Sequence, residues 1–356
     1  MLNSFKDIYV CCPANLVTGG PEALHQLVDA INSMNGSAYI VYTSGSLVVK
    51  ANTPLKFKHY KVKLATEIID LNVNACIVPE TGPDILKELH NLYKFVWWLS
   101  WDYGKDILTT IDTGVIHLYQ SKYAKNMLVR SGVKQAISLS DYTLPPLFNE
   151  GKKQNLVLLA GRKISSDYLE MHKTIKKEFT FIEVKNLSQL ALAKYLKRSK
   201  CYIDFGLFPG KDRLPREAVI MNNLIVTSQY GACSNLEDFA IQESFKLKME
   251  TTGPELVDYL NGIILDYSIQ HDKFVKFKTV VYGEKDMFFS EVSSIFGLLL
   301  VAVPNPSKKR IFHVYIEHVL WLLGFYKQLG GVNTRFEKVL FYVRFKVLKM
   351  VDRRVF

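Results

Sequence analysis

The sequence has no CxxC pair, no HExxH helix, no GxxxxGK[ST] loop and no GxGxxG turn. The first two absences exclude the common zinc sites, and the last two exclude the phosphate loop and the dinucleotide fingerprint. Five scattered cysteines (Cys11, Cys12, Cys76, Cys201, Cys233) form no disulfide framework; they read as small buried hydrophobes in a reducing compartment. The one histidine cluster, HVYIEH over 313–318, sets His313 and His318 on different helical faces, so no metal site is expected. The start, MLNSFKDIYVCCPA, lacks a signal peptide's basic opening and apolar core. No apolar run approaches the ~18 residues of a spanning helix; the longest candidate is IFGLLLVAVP at 295–304. The expectation is a cytoplasmic chain without repeats or low-complexity tracts.

What is present is basic but unevenly so. The net charge is +11, and residues 307–356 hold eleven lysines and arginines against three acids. The other 306 residues therefore carry only +3, which disfavours a nucleic-acid groove across the body of the protein.

At 356 residues the chain exceeds one ordinary core, and two domains of ~150 residues follow. Short β-branched and aromatic runs alternate with helical patterns, the mark of parallel βαβ units. DIYVCC, AYIVY, ACIVP, KFVWWLS and GVIHLY read as strands of a first α/β unit. NLVLLAG, FTFIEV, CYIDFG and LIVTS read as strands of a second. The aperiodic stretch 138–155, with Pro145, Pro146 and Gly151, is the expected linker. The division expected is 1–148, 149–283, and a helical return segment with a basic tail over 284–356: an α/β fold of two Rossmann-like domains facing a cleft, where ligands sit beyond the carboxyl ends of the strands.

GKDRLPREAVIMNN at 210–223 crowds three cations against a short helix expected over 215–222. Pro215 suits a first helical turn. Lys211, Arg213 and Arg216 beside free backbone N–H groups would make an anion site for a diphosphate, and Glu217 would accept hydrogen bonds from sugar hydroxyls. A solvated turn with local Asp212–Arg and Glu217–Arg pairs is the equal alternative. Arg162 and Lys163, after the first strand of the second unit, form a second anion candidate or a solvated strand end. Gly19 and Gly20 in TGGPEA let a ligand approach the backbone. In WWLSWDYG (97–104), Ser100, Asp102 and Tyr103 suit an acceptor sugar, with Asp102 the candidate base and Trp97 or Trp98 packed in the core. Gly231 and Ala232 leave room for a ligand, while Glu237 and Asp238 are expected to face water.

In the tail, Arg335, Lys338, Lys346, Lys349 and Arg353 recur on one helical face, opposite Phe336, Leu340, Val343, Val347 and Met350. Such a helix suits an anionic membrane surface, or packs on the protein with a solvated rim.

The strings TGGPEALHQL and DFGLFPGKDRLPREAVIMNNLIVTSQYGACSNLEDF, with FVWWLSWDYG and YQSKYAKNMLVRSG, resemble the GT-B glycosyltransferases of bacterial surface-polysaccharide (capsule, O-antigen, lipooligosaccharide) clusters, in the group 1/family 4-like branch. The resemblance covers residues 7–247 and is most specific over 204–238. It implies metal-independent transfer of a sugar from a nucleotide-sugar, a co-substrate rather than a cofactor, to a lipid-linked glycan at the inner membrane face. It further implies Arg162 and Lys163 on the donor diphosphate, Glu217 on the ribose, and Gly19–Gly20 near the phosphates and sugar. One departure stands out: where the family's first Glu of a Glu-x7-Glu pair belongs, this chain has Pro209, which leaves retention or inversion open. The other readings are a catalytically silent GT-B-fold scaffold, favoured by Pro209, and a sugar-nucleotide epimerase, which leaves the basic tail unexplained.

Overall fold

The computed structural model describes residues 5–148, 151–161, 164–300, 310 and 313–321. The first unit is built on β1 (Ile8–Pro13), β2 (Ala38–Ser44), β3 (Leu47–Val48), β4 (Lys63–Ala65), β5 (Ala75–Pro79), β6 (Tyr93–Trp98), β7 (Ile116–Tyr119) and β8 (Ala136–Ser138). Their order is β3-β2-β1-β5-β6-β7-β8, with β4 also paired to β2. All pairings are parallel except the short β2–β3 hairpin. The strands of the middle, IYVCC and ACIVP, are buried throughout because helices cover both faces. Ile8, Val10 and Cys12 join one core layer, Tyr9 and Cys11 the other. Helices α1 (Gly19–Ser33), α2 (Trp101–Gly104) and α3 (Lys122–Arg130) link the strands. In α1, Leu24, Leu27, Val28 and Ile31 recur at helical spacing and are fully buried, and each such side chain contributes about 1.5–3 kcal/mol.

The second unit has β9 (Gln154–Ala160), β10 (Phe181–Val184), β11 (Ser199–Asp204) and β12 (Leu224–Thr227), all parallel, in the order β10-β9-β11-β12. Around them lie α4 (Leu169–Glu178), α5 (Gln189–Arg198), α6 (Arg213–Ile220), α7 (Gly253–Leu265) and α8 (Tyr267–Asp272). Both sheets are thus Rossmann-like, each with a strand order that reverses beside its first strand. The switch points fall between β1 and β5 and between β9 and β11, and crevices open there.

Helix α9 (Val275–Phe296) belongs to both units. Its early residues Phe277 and Val281 sit in the second core, whereas Phe288, Phe289, Val292, Ile295 and Phe296 sit in the first. Gly297, at φ 64°, ends it in the left-handed conformation that glycine adopts without strain. Residues 313–321 are helical and dock on the second unit, where Ser188 Oγ meets His318 Nδ1 at 2.7 Å and Trp321 Nε1 donates to the Asn186 carbonyl at 2.8 Å. No described helix is long and apolar enough to cross a membrane. The five basic tail positions, Arg335, Lys338, Lys346, Lys349 and Arg353, lie outside the described residues.

Candidate functional site

A cleft of about 630 Å³ runs between the two sheets, lined by both switch points. From the first unit come Gly19 and Gly20 at the start of α1, Glu80 after β5, and Ser100 and Tyr103 after β6. From the second come Gly161 after β9, Asp204 and Gly206 at the end of β11, and Lys211, Arg213 and Glu217 around the start of α6.

The two walls are held close by backbone contacts. Trp101 N–H donates to the Pro209 carbonyl at 2.8 Å, and Lys211 N–H to Gln120 Oε1 at 3.0 Å. Between them Gly210 lies so close to the Leu99 carbonyl that any Cβ would collide with it. Phe208, fully buried, takes φ 45°, in the left-handed region that bulky side chains avoid. Asp238, expected to face water, is instead 3% exposed and accepts the N–H groups of Lys122 and Tyr123 at 2.7 and 2.8 Å, satisfying the first turn of α3 from the opposite unit. Glu237 does face solvent, where it pairs with Lys122 at 3.3 Å.

The cations of the GKDRLPRE segment are not free. Arg213 meets Asp141 at 2.9 Å, Glu22 at 3.4 Å and Gln26 Oε1 at 2.8 Å. Arg216, with no exposed surface, meets Asp141 at 2.9 Å and Glu284 at 2.8 Å and donates to the Lys211 carbonyl at 2.7 Å. Lys211 Nζ takes the other Glu284 oxygen at 3.1 Å. Burial raises the carboxyls of Glu22 and Asp141, but their cations outweigh it: Lys56 and Arg213 hold Glu22 at about 2, and Arg216 and Arg213 hold Asp141 at about 2. The expectation of an open diphosphate cradle is therefore corrected. The partners are distant carboxylates rather than the local Asp212 and Glu217, and Arg216 does not line the cleft.

Glu217 does line it and makes no hydrogen bond or ion pair among the described residues, and burial raises its pKa. Gly19 and Gly20 have open space, with Arg213 and Leu99 no nearer than ordinary contact to an added Cβ. Gly231 and Ala232 do not line the cleft. Gly231, at φ 59°, lies against the Leu207 and Phe208 carbonyls, and Ala232 N–H donates to Phe208 at 2.8 Å; the small side chains serve chain packing. Arg162 and Lys163 are outside the described residues. Trp97 and Trp98 are both core residues, donating to the Leu139 carbonyl and His117 Nδ1.

Asp102 is turned from the cleft toward α3, where it accepts the Tyr123 hydroxyl at 3.3 Å. Since Glu22 and Asp141 are paired with cations, the carboxylate lining that wall without an ion pair, among the described residues, is Glu80. It is 3% exposed, accepts Leu99 N–H at 3.0 Å, and is packed against the Gly104 backbone. Burial raises its pKa to about 8, against the opposing pull of backbone N–H groups at Leu99, Glu80 and Ser100. A lone acid in IVPETG gave no signal in the sequence.

No family model and no curated protein matches the chain. Solved structures do. Sucrose-phosphate synthase from Thermosynechococcus elongatus superposes with TM-score 0.56 at 10% identity, over 82% of this chain and 98% of that one. An alpha-glucosyltransferase in complex with UDP and a 13-mer DNA gives 0.53 at 10% identity, over 82% and 100%. The fold is GT-B. Against TarM (TM-score 0.48, 10% identity) the match covers 64% of this chain, which spans little more than half of TarM, 56%. The GT-B architecture accounts for the paired sheets, the cleft at their carboxyl edges and a helix returning to the first core.

Proposed function

We propose that this chain is a glycosyltransferase that moves a sugar from a nucleotide-sugar to a glycan acceptor. The observation that carries the reading is the meeting of two Rossmann switch points across one cleft, with Gly19–Gly20 and Glu80 on one wall and Gly161, Asp204 and Glu217 on the other. Open N–H groups at the start of α1 suit the donor phosphates, with Arg162 and Lys163. Glu217, without a partner among the described residues, suits ribose hydroxyls. Ser100 and Tyr103 flank the acceptor. Glu80, in place of Asp102, takes the acceptor hydroxyl proton as the oxygen bonds to the anomeric carbon and the nucleoside diphosphate departs. No cofactor enters this scheme. The finer setting is a lipid-linked acceptor in surface-polysaccharide synthesis, at the inner membrane face, reached through the basic tail.

Thermal shift with UDP, GDP, CMP and dTDP tests it: stabilisation by one names the donor class, and mass spectrometry of a sugar product completes the case. Four flat traces on folded protein would move the reading to a silent GT-B scaffold, which the carboxylate-neutralised Lys211 and Arg213 and the Pro209 substitution favour.

A further inference from the structure

Four described cations line the cleft: Lys56, Lys211, Arg213 and Arg310. The first three are neutralised, Lys56 by Glu22 at 3.0 Å, Lys211 by Glu284 at 3.1 Å, and Arg213 by Asp141 at 2.9 Å. Arg310 is different. It is only 9% exposed, its Nη1 donates to the Pro145 carbonyl at 2.8 Å, and its Nε is buried without a hydrogen-bond partner. Among the described residues no carboxylate lies within ion-pair distance of it. Burial lowers its pKa, and Glu22 and Glu217 oppose this only from beyond bonding range.

A guanidinium sealed from water with no ion-pair partner is costly, and a ligand anion is the group that offsets the cost. The burial of the guanidinium against the Pro145 carbonyl favours a strong contact, because charge pairs strengthen where water is excluded. The chain just beyond Arg310 is anchored to the second unit through His318 and Trp321. We propose that Arg310, carried in by the C-terminal segment, is, among the described cations of this cleft, the one that binds the diphosphate of a nucleoside diphosphate, the role expected of Lys211, Arg213 and Arg216. The nucleoside part of this assignment rests on the nucleotide-sugar reading above; the anion site does not.

The test is titration calorimetry on the full chain with UDP, GDP, their nucleosides and inorganic pyrophosphate, for wild type, Arg310→Gln and Arg310→Lys, alongside ligand-free melting curves. Charge-assisted hydrogen bonds to phosphate predict that Arg310→Gln weakens nucleoside diphosphate and pyrophosphate about ten- to hundred-fold and nucleosides hardly at all, with Arg310→Lys between. Loss of an uncompensated buried charge should leave the ligand-free Tm of Arg310→Gln at or above wild type. A glutamine variant that binds the nucleoside diphosphate within about two-fold of wild type overturns the proposal and leaves the nucleotide reading standing. Pyrophosphate binding lost in Arg310→Gln, with no nucleotide bound by wild type, keeps the anion site and overturns that reading. Wild type that binds neither overturns both. A glutamine variant that melts well below wild type makes Arg310 structural and also overturns the proposal.

Discussion

Arg216 Nη1 lies 2.8 Å from Glu284 Oε2, with neither side chain reaching solvent, although they come from α6 and from the middle of α9. Through Asp141 the same arginine ties both helices to the strand-free segment after β8, so one guanidinium gathers three remote parts of the chain. Breaking one side of a buried pair leaves an uncompensated charge, which costs about 3–5 kcal/mol. Glu284→Gln, which leaves Lys211 without its ion pair and Arg216 with Asp141 alone, should lower the unfolding free energy from urea titration by that order, whereas replacing the exposed Lys173–Glu170 pair should change it by less than about 1 kcal/mol.

Glu80 lines the cleft on the wall where the sequence pointed to Asp102. Transfer should fall about 10²–10⁴-fold in Glu80→Gln and stay close to wild type in Asp102→Asn. As a base Glu80 acts when ionised, so the wild-type rate should rise with pH through about 8, and the glutamine variant should lose that limb. Stability moves the opposite way. A carboxyl whose folded pKa is raised stabilises most below its unfolded value, ~4.3, and loses that contribution as pH climbs through about 8. Melting curves of wild type should therefore decline over this window more steeply than those of Glu80→Gln.

Glu22 and Asp141 give the acid side. Both are held at about 2, below the ~3.9–4.3 of unfolded carboxyls, so their stabilisation is complete above that range and fades as pH falls toward 2. Asp141→Asn should be less stable at neutral pH and show a flatter loss between pH ~4 and ~2 in denaturant titrations.

Asp238 caps α3 from across the cleft, so Asp238→Ala should cost about 1–2 kcal/mol in unfolding experiments. Its neighbour Glu237, paired at the surface, should cost under about 1 kcal/mol when changed to alanine. Equal losses at the two positions would refute the capping role.

The fold was legible because its signals are local. Strands buried on both faces read as continuous apolar runs, and α1 shows its core stripe over fifteen residues. The charge network was not, because its carboxylates come from residues 22, 141 and 284 while its cations sit at 211–216. A cation-rich helix start looks the same in sequence whether a phosphate or a distant glutamate faces it. Glu80 was hidden for a related reason: its importance lies in burial, and one acid after a strand carries no pattern. Arg310 was hidden in the count of basic tail residues, although it lies in the cleft. Gly231 was misread since glycine at φ 59° serves backbone crowding as readily as ligand access.

Helix α9 places five apolar side chains in the first core and two in the second. Cut the chain near residue 150 and the first half would be left with a vacant slot where Phe288, Phe289, Val292, Ile295 and Phe296 belong. Neither half is then a transferable part. A hybrid that borrows another protein's first half must borrow the end of this helix with it, and a split protein should regain its fold only when the second fragment lends that helix back. A change in either half that reshapes this shared rod is therefore felt in the core of the other.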